Sequence, residues 1–209
     1  MFAVVESGSI TSMPQGNKGI KIGDYNYPPT IFTLWSESER NAIGVYTVEI
    51  DNTNFKSQEW YINTNMTYAF GSGKVTGSYG TATAKAHADT LWTEQDKTDG
   101  LISPGKDVGD VAVEGLKTKL IREVKKQAES ILNQTDWYIT RKAEKSTAIP
   151  SAITTHRDAV RTKQASMETS ITNASNTAAL ETLYTYVNTA DEGEPIVMER
   201  PIGVLPSLS

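Results

Sequence analysis

The chain has 209 residues, of which 38% are hydrophobic, contains no cysteine and carries a formal net charge of −5. The lack of cysteine excludes disulfides, thiolate-bound zinc and cysteine nucleophiles. Residues 1–108 carry 8 basic and 12 acidic side chains and residues 109–190 carry 11 and 9, so we expect no nucleic-acid partner, because neither segment is basic enough to follow a phosphate backbone.

The composition also favours burial against a partner. A hydrophobic share of 38% is low for a globular chain, although nine tyrosines and four tryptophans add large surfaces. We therefore expect a thin core that is completed in a homo- or hetero-oligomer. The opening segment Met1–Glu6 lacks the basic region of a signal peptide, and no apolar run reaches the roughly 20 residues of a membrane-spanning helix. We expect synthesis in the cytoplasm and no membrane partner.

The first predicted domain, residues 1–85, is rich in short strands. Phe2–Val5 and Ser9–Thr11 predict a hairpin with a glycine turn. Ser36 and Glu39 match a capping box that starts one short helix, and Gly44 supplies its left-handed end. The other predicted strands are Gly19–Gly23, Val45–Ile50, and a pair formed by Trp60–Phe70 and Lys74–Thr83.

Residues 86–110 predict a linker, because acidic residues, glycines and a proline crowd this stretch. Within it, Gly100–Asp107 comes close to a phosphate-binding loop. Asp107 stands where that loop needs a serine or threonine hydroxyl for magnesium, and the preceding Thr93–Asp99 is too polar for a core strand. We therefore favour a linker turn over a nucleotide site.

A helical domain is predicted over residues 111–190, where the apolar spacing changes from two to about 3.6. One face of its first helix carries Leu116, Leu120, Ile121, Val124, Ala128, Ile131 and Leu132. Thr135 is placed to cap a second helix over Asp136–Lys145, and Pro150 fits the first turn of a third. The apolar residues of the third helix are Ile153, Ala159, Val160, Met167 and Ile171. Those of a fourth are Ala178, Leu180, Leu183, Tyr184 and Val187.

The last segment, residues 191–209, predicts an extended C-terminal arm. Pro195, Pro201 and Pro206 separate its apolar pairs, a pattern that favours an arm lying along a neighbouring subunit. The whole pattern predicts an α+β fold, with a small β-rich N-terminal domain, a C-terminal helical domain and this arm.

No local motif predicts catalysis, a metal site or a cofactor. His87 and His156 are 69 positions apart, and neither has a second histidine or a carboxylate at helical spacing. The best enzymatic alternative is a glycan hydrolase, in which two of the carboxylates of Glu37, Glu49 and Asp51 would face one groove. We regard the protein as non-enzymatic and keep the hydrolase as an alternative.

Trp137 allows two interpretations. Placed between two amphipathic segments, its indole can pin the corner between helices inside the chain's own core. Alternatively Trp137, with Tyr138 and Ile139, forms an anchor on a partner, as aromatic residues do at interface hot spots. Both hold if a partner completes the core.

The segment from about Lys119 to Arg161 resembles a helical region of tailed-bacteriophage tail-associated and tail-fibre assembly proteins. The residues that carry the resemblance are Leu132, Thr135-Asp136-Trp137, Arg141, Pro150, Arg157 and Arg161. In simple assembly chaperones of this group the tryptophan segment lies near the C-terminus, whereas here about 70 residues follow it. That length favours a component that stays in the virion over a transient chaperone.

The resemblance implies a non-enzymatic protein made in the host cytoplasm and retained in the virion tail. Its implied partners are other phage tail or fibre proteins, bound in the tail fibre or the baseplate. An assembly chaperone that leaves the particle is the alternative. The residues that we expect to contact a partner are Trp137, Tyr138, Ile139, Ile196, Val197, Met198, Ile202, Val204 and Leu205.

Overall fold

The computed structural model describes residues 1–208 and confirms the α+β fold, with strands gathered in the N-terminal part and helices in the C-terminal part. The chain divides into two compact units, one spanning Met1–Thr83 and the other beginning at Ala84. The observed boundary lies two residues before the predicted end of the first domain. No helix within residues 1–208 is long and apolar enough to cross a membrane.

The first unit is built on a five-stranded sheet. Its strands lie in the order Ser9–Ser12 (β2), Phe2–Glu6 (β1), Val45–Asp51 (β5), Lys74–Tyr79 (β8) and Met66–Gly71 (β7). Strands β5 and β8 are parallel, and the other neighbours in the sheet are antiparallel. The two outer strands, β2 and β7, approach to within 8 Å between Cα atoms, so the sheet is strongly curled. The strands of this unit are β1 (Phe2–Glu6), β2 (Ser9–Ser12), β3 (Ile20–Ile22), β4 (Tyr25–Tyr27), β5 (Val45–Asp51), β6 (Tyr61–Ile62), β7 (Met66–Gly71) and β8 (Lys74–Tyr79), with β9 (Thr83–Ala84) at the boundary.

Both faces of this sheet are covered. Because side chains alternate along a strand, β1 sends Val4 to one face and Ala3 to the other. Val4 packs with Ile31, Phe32 and Val45, and a second cluster contains Ala3, Val48 and Val75.

Two short helices precede β5, namely α1 (Ile31–Leu34) and α2 (Glu37–Ala42). The predicted capping box is confirmed: Ser36 N–H donates to Glu39 Oε2 at 2.7 Å, and Glu39 N–H donates to Ser36 Oγ at 3.3 Å. Gly44 follows at φ +79° and ends the helix as expected. Its position also brings its α-carbon against the Val5 carbonyl, where an added Cβ would lie 2.5 Å from the oxygen.

The second unit contains a small hairpin, four longer helices and a second hairpin near its end. The elements are β10 (Thr90–Leu91), α3 (Glu94–Thr98), β11 (Val111–Val113), α4 (Leu116–Asn133), α5 (Asp136–Lys145), α6 (Ser151–Asn173), α7 (Thr177–Tyr184), β12 (Val187–Asn188) and β13 (Met198–Glu199). Its core is formed mainly where α4 packs on α6, through Val124, Ala128, Val160 and Met167 among others. The four helices predicted from apolar spacing are present, except that Val187 lies in β12 because α7 ends at Tyr184.

Residues 86–110, predicted as a linker, are an ordered part of the second unit. Asp89 caps α4 from outside the helix, since its carboxylate accepts from Gly115 N–H at 2.7 Å and from Thr118 Oγ1 at 2.8 Å. Ala86 and His87 accept the next two helical N–H groups through their carbonyls. The stretch therefore supplies hydrogen-bond acceptors that the first turn of α4 lacks. Its polar composition gives no sign of this role in the sequence.

The segment Gly100–Asp107 forms a turn that leads towards a strand. Lys106 N–H donates to the Ser103 carbonyl, and Asp107 N–H donates to Asp110 Oδ2 at 3.0 Å. A phosphate-binding loop would open a helix, whereas β11 follows here. The turn interpretation agrees with the structure.

The predicted extended arm is partly folded onto the second unit. Its β13 pairs with β12, and Ile202 N–H donates to the Leu183 carbonyl at 3.0 Å. Ile202 is only 3% exposed. Its side chain packs into the core of the second unit, and a contact of Ile202 with a partner stays a prediction.

We expect Gly44→Ala to destabilise the first unit more than Gly8→Ala. Both glycines have φ +79°, so both variants share the cost of a left-handed alanine, about 1 kcal/mol. Only at Gly44 does the added Cβ also meet a backbone oxygen, since Gly8 has open space around it. Urea unfolding of both variants measures the difference, and equal losses would contradict this packing.

We expect Asp89→Ala to lower the melting temperature at neutral pH and to have little effect in acid. The hydrogen bond from Gly115 N–H, followed by that from Thr118, lowers the pKa of Asp89. Stabilisation is thus present above the ordinary aspartate pKa and is lost as the pH falls through the lowered value. Asp191→Ala is the matched control, because Asp191 is an exposed residue of the same unit that lies outside the helices. If Asp89→Ala lowered the melting temperature by the same amount at neutral and acidic pH, the capping role of Asp89 would be refuted.

Candidate partner-binding site

The candidate site is built around the corner between α4 and α5. Helix α4 ends at Asn133 and α5 begins at Asp136, so only two residues turn the chain. Thr135 occupies this turn and is buried, although threonine is polar. Buried polar groups are found with hydrogen-bond partners, and a side chain from α6 supplies them.

Arg157 on α6 joins the corner from within the core. Its Nη1 lies 2.7 Å from the Leu132 carbonyl, 2.7 Å from Thr135 Oγ1 and 2.8 Å from Asp136 Oδ1. Only 7% of Arg157 is exposed, whereas the Asp136 carboxylate is about half exposed. One buried cation thus satisfies a carbonyl at the end of α4 and holds the first residue of α5, where an acidic side chain also complements the helix dipole.

The structure corrects the capping role expected for Thr135. Its side chain caps no N–H of α5. Instead Thr135 Oγ1 donates to the Leu132 carbonyl at 3.0 Å and accepts from Arg157. The buried guanidinium competes successfully for the hydroxyl oxygen because charge-assisted hydrogen bonds are stronger than neutral ones.

Helix α5 carries an exposed group that we call the aromatic cluster, formed by Trp137, Tyr138 and Arg141. The two rings lie 3.7 Å apart between centroids at an angle of 32°. The Arg141 guanidinium lies over both, 4.7 Å from the Trp137 ring and 5.2 Å from the Tyr138 ring. Trp137 is 51% exposed and Tyr138 is half-buried. Trp137 therefore does not lie sealed inside the chain's own core.

The remaining predicted contact residues fall into two environments. Ile139 on α5 is 43% exposed, and Ile196, Val197, Met198 and Val204 are exposed near the C-terminus. Leu205 is half-buried. Apart from the buried Ile202, the predicted residues leave apolar surface open on α5 and around β13.

An open groove of about 710 Å³ begins beside the corner at Leu132 and runs along α6. Arg161, Glu168 and Thr172 line it. Glu168 also forms an ion pair with Lys125 of α4, with its Oε2 3.5 Å from the Lys125 Nζ. Leu132 therefore belongs both to the corner and to the adjoining groove.

The carboxylates considered for glycan hydrolysis have other partners or remain exposed. Glu49 pairs with Lys74 at 2.7 Å, and this contact raises the pKa of Lys74. Hydrogen bonds from Thr53, first from its hydroxyl and then from its N–H, lower the pKa of Asp51. A general acid needs a raised pKa, so Asp51 is perturbed in the wrong direction for that role. Glu37 lies exposed in the first turn of α2.

The sequence did not predict the functional or organising role of three residues. The sequence indicates Arg157 only through the resemblance, because an arginine in a helical pattern gives no sign that its side chain will be buried. Lys163 and Arg200 line a second cleft together, although they are 37 positions apart. Only the three-dimensional packing of α6 against the C-terminal segment brings these two side chains together.

Comparisons with known proteins give no counterpart: no protein-family model, no curated protein and no solved structure matches this chain. The geometry gives a rigid corner, an exposed aromatic cluster and an adjoining groove.

We expect Arg157→Met to lower the free energy of unfolding by about 2 to 3 kcal/mol, because hydrogen bonds to a charged group are lost and their acceptors stay at the corner. Arg161→Met is the control on the same helix, since Arg161 is exposed and its one ion pair within residues 1–208 is with Asp158, at 3.4 Å. The control should change stability by less than about 1 kcal/mol. Denaturant unfolding of both variants tests this, and similar losses would refute the organising role of Arg157.

Proposed function

We propose that this protein is a non-enzymatic component of a bacteriophage tail, retained in the virion and docked to other proteins of the tail fibre or baseplate. The observation that carries the proposal is the exposed aromatic cluster, fixed at a corner by Arg157. The phage-tail resemblance of the same segment supplies the biological setting.

The composition of the cluster suits a protein interface. Tryptophan, tyrosine and arginine are the residue types most enriched at binding hot spots. Trp137 has half of its surface free for contact, and Arg141 already lies on the rings. The short connection to α4 and the buried Arg157 lower the entropy that α5 would lose on binding, because the helix is positioned in advance.

A tail-fibre assembly chaperone is the second candidate, since the same resemblance supports it. The segment after Trp137 favours retention: it forms α6, α7 and the β12–β13 hairpin, and Ile202 packs into the core of the unit. These residues make the tryptophan segment an internal part of a folded unit. A chaperone would use the same surface but leave once the fibre has folded.

Mass spectrometry of purified particles of the phage that encodes this chain tests retention. We expect its peptides in particles at a fixed ratio to the known tail proteins, and this ratio should survive a high-salt wash. Absence from particles, together with a co-expressed fibre becoming more soluble, would replace this proposal with the chaperone.

We expect Trp137→Ala to lower the amount of the protein per particle by about tenfold or more, in line with loss of a hot spot worth about 2 kcal/mol. Its own stability should fall by less than about 1 kcal/mol, because half of the indole is already in water. Leu101→Ala is the control, an exposed apolar residue of the same unit that lies outside α5. Equal incorporation of both variants would show that α5 is not the docking surface.

A further inference from the structure

A second concave feature lies where α6 meets the C-terminal segment, and we call it the C-terminal cleft. Its volume is about 440 Å³, within the range of small-ligand sites. It is lined by Lys163, Tyr186, Met198, Glu199, Arg200, Gly203 and Val204. We propose that this cleft binds a peptide segment through a carboxylate, with an apolar side chain of the same segment on its apolar wall.

Two cations in the cleft lack anionic partners. Neither Lys163 nor Arg200 forms an ion pair with Glu199 or with any other carboxylate of residues 1–208. Arg200 Nε is enclosed and has no hydrogen-bond acceptor in this part of the chain. A ligand in the cleft therefore cannot reach Nε, and a bound carboxylate would be held by the Nη groups of Arg200 and by the Lys163 ammonium group.

The backbone brings Lys163 to this place. Gly203 has φ +73°, and a Cβ built on it would lie 2.4 Å from Lys163 Nζ and 2.9 Å from its Cε. The lysine side chain therefore extends across the glycine α-carbon, in space that any other residue would occupy. Gly203 thus allows the ammonium group to reach the cleft.

The rest of the lining selects the class of ligand. Two cations and the Glu199 carboxylate leave a formal charge of +1, which matches a singly charged carboxylate better than a doubly charged phosphate group. Arg200 lies over the Tyr186 ring, 5.3 Å from its centroid, so the guanidinium plane is held in place. Tyr186, Met198 and Val204 add exposed apolar surface beside the cations. A ligand that carries a carboxylate next to an apolar side chain would contact both the two cations and this apolar surface.

The test uses the purified chain of 209 residues and three blocked dipeptides. Acetyl-Leu-Phe with a free carboxylate represents a chain terminus, acetyl-Leu-Glu-amide represents an acidic side chain, and acetyl-Leu-Phe-amide is the neutral control. Titrations are followed by the ¹⁵N–¹H resonances of the protein, including the Arg200 Nε–Hε group. This inference does not rest on the proposed tail function, because no phage component enters the experiment.

We expect at least one acidic dipeptide to bind about tenfold or more tightly than the neutral control and to shift the resonances of Arg200, Tyr186 and Gly203. The stronger of the two acidic dipeptides identifies the source of the carboxylate. Equal binding of all three, no binding at millimolar concentration, or shifts confined to other residues would each overturn the proposal.

Matched variants locate the interaction. Lys163→Met and Arg200→Met should each weaken the better acidic dipeptide by about tenfold, whereas Lys126→Met removes a charge from an exposed position on α4 and should leave its affinity unchanged. An equal effect of all three substitutions would indicate general charge attraction and refute the cleft. The acid and amide comparison on the unmodified chain remains decisive if a variant fails to fold.

Discussion

The three contacts of the Arg157 guanidinium determine how the second unit presents its surface. Without Arg157, the carbonyl of Leu132 and the hydroxyl of Thr135 would keep their hydrogen bond to each other but lose the two charge-assisted bonds, which are worth about 1.5 to 3 kcal/mol each. With Arg157 present, the turn needs only two residues, and Asp136 is held as the first residue of α5. This buried cation thus holds the start of α5, the helix on which Trp137 is exposed.

Helix α6 organises two separate surfaces. Arg157 faces the corner between α4 and α5, whereas Lys163, six residues later and about 9 Å further along the axis, faces the C-terminal cleft. One surface offers stacked rings with a cation, and the other offers two cations beside apolar side chains. A scaffold helix that fixes two chemically different surfaces suits a protein that docks to more than one neighbour.

Local signals in the sequence were sufficient for much of the fold. The apolar spacing from Leu116 predicted α4, and the pair Ser36 and Glu39 predicted the start of α2, because both depend on neighbours in sequence. Asp89 and Ile202 could not be placed in the same way. Their hydrogen-bond partners, Gly115 and Leu183, lie 26 and 19 residues away in sequence. Neither the polar stretch around Asp89 nor the proline-rich tail around Ile202 indicates these contacts, because they form only when the unit packs.

The proposed contact of α5 with another tail protein through Trp137 can be tested by site-specific photo-crosslinking. A benzoylphenylalanine placed at position 137 in phage-producing cells is activated by light, and particles are then purified. We expect a covalent adduct with one tail-fibre or baseplate protein, and none when the same group replaces Leu101. Particles that contain the protein but show no adduct from position 137 would show that this position does not contact a tail protein.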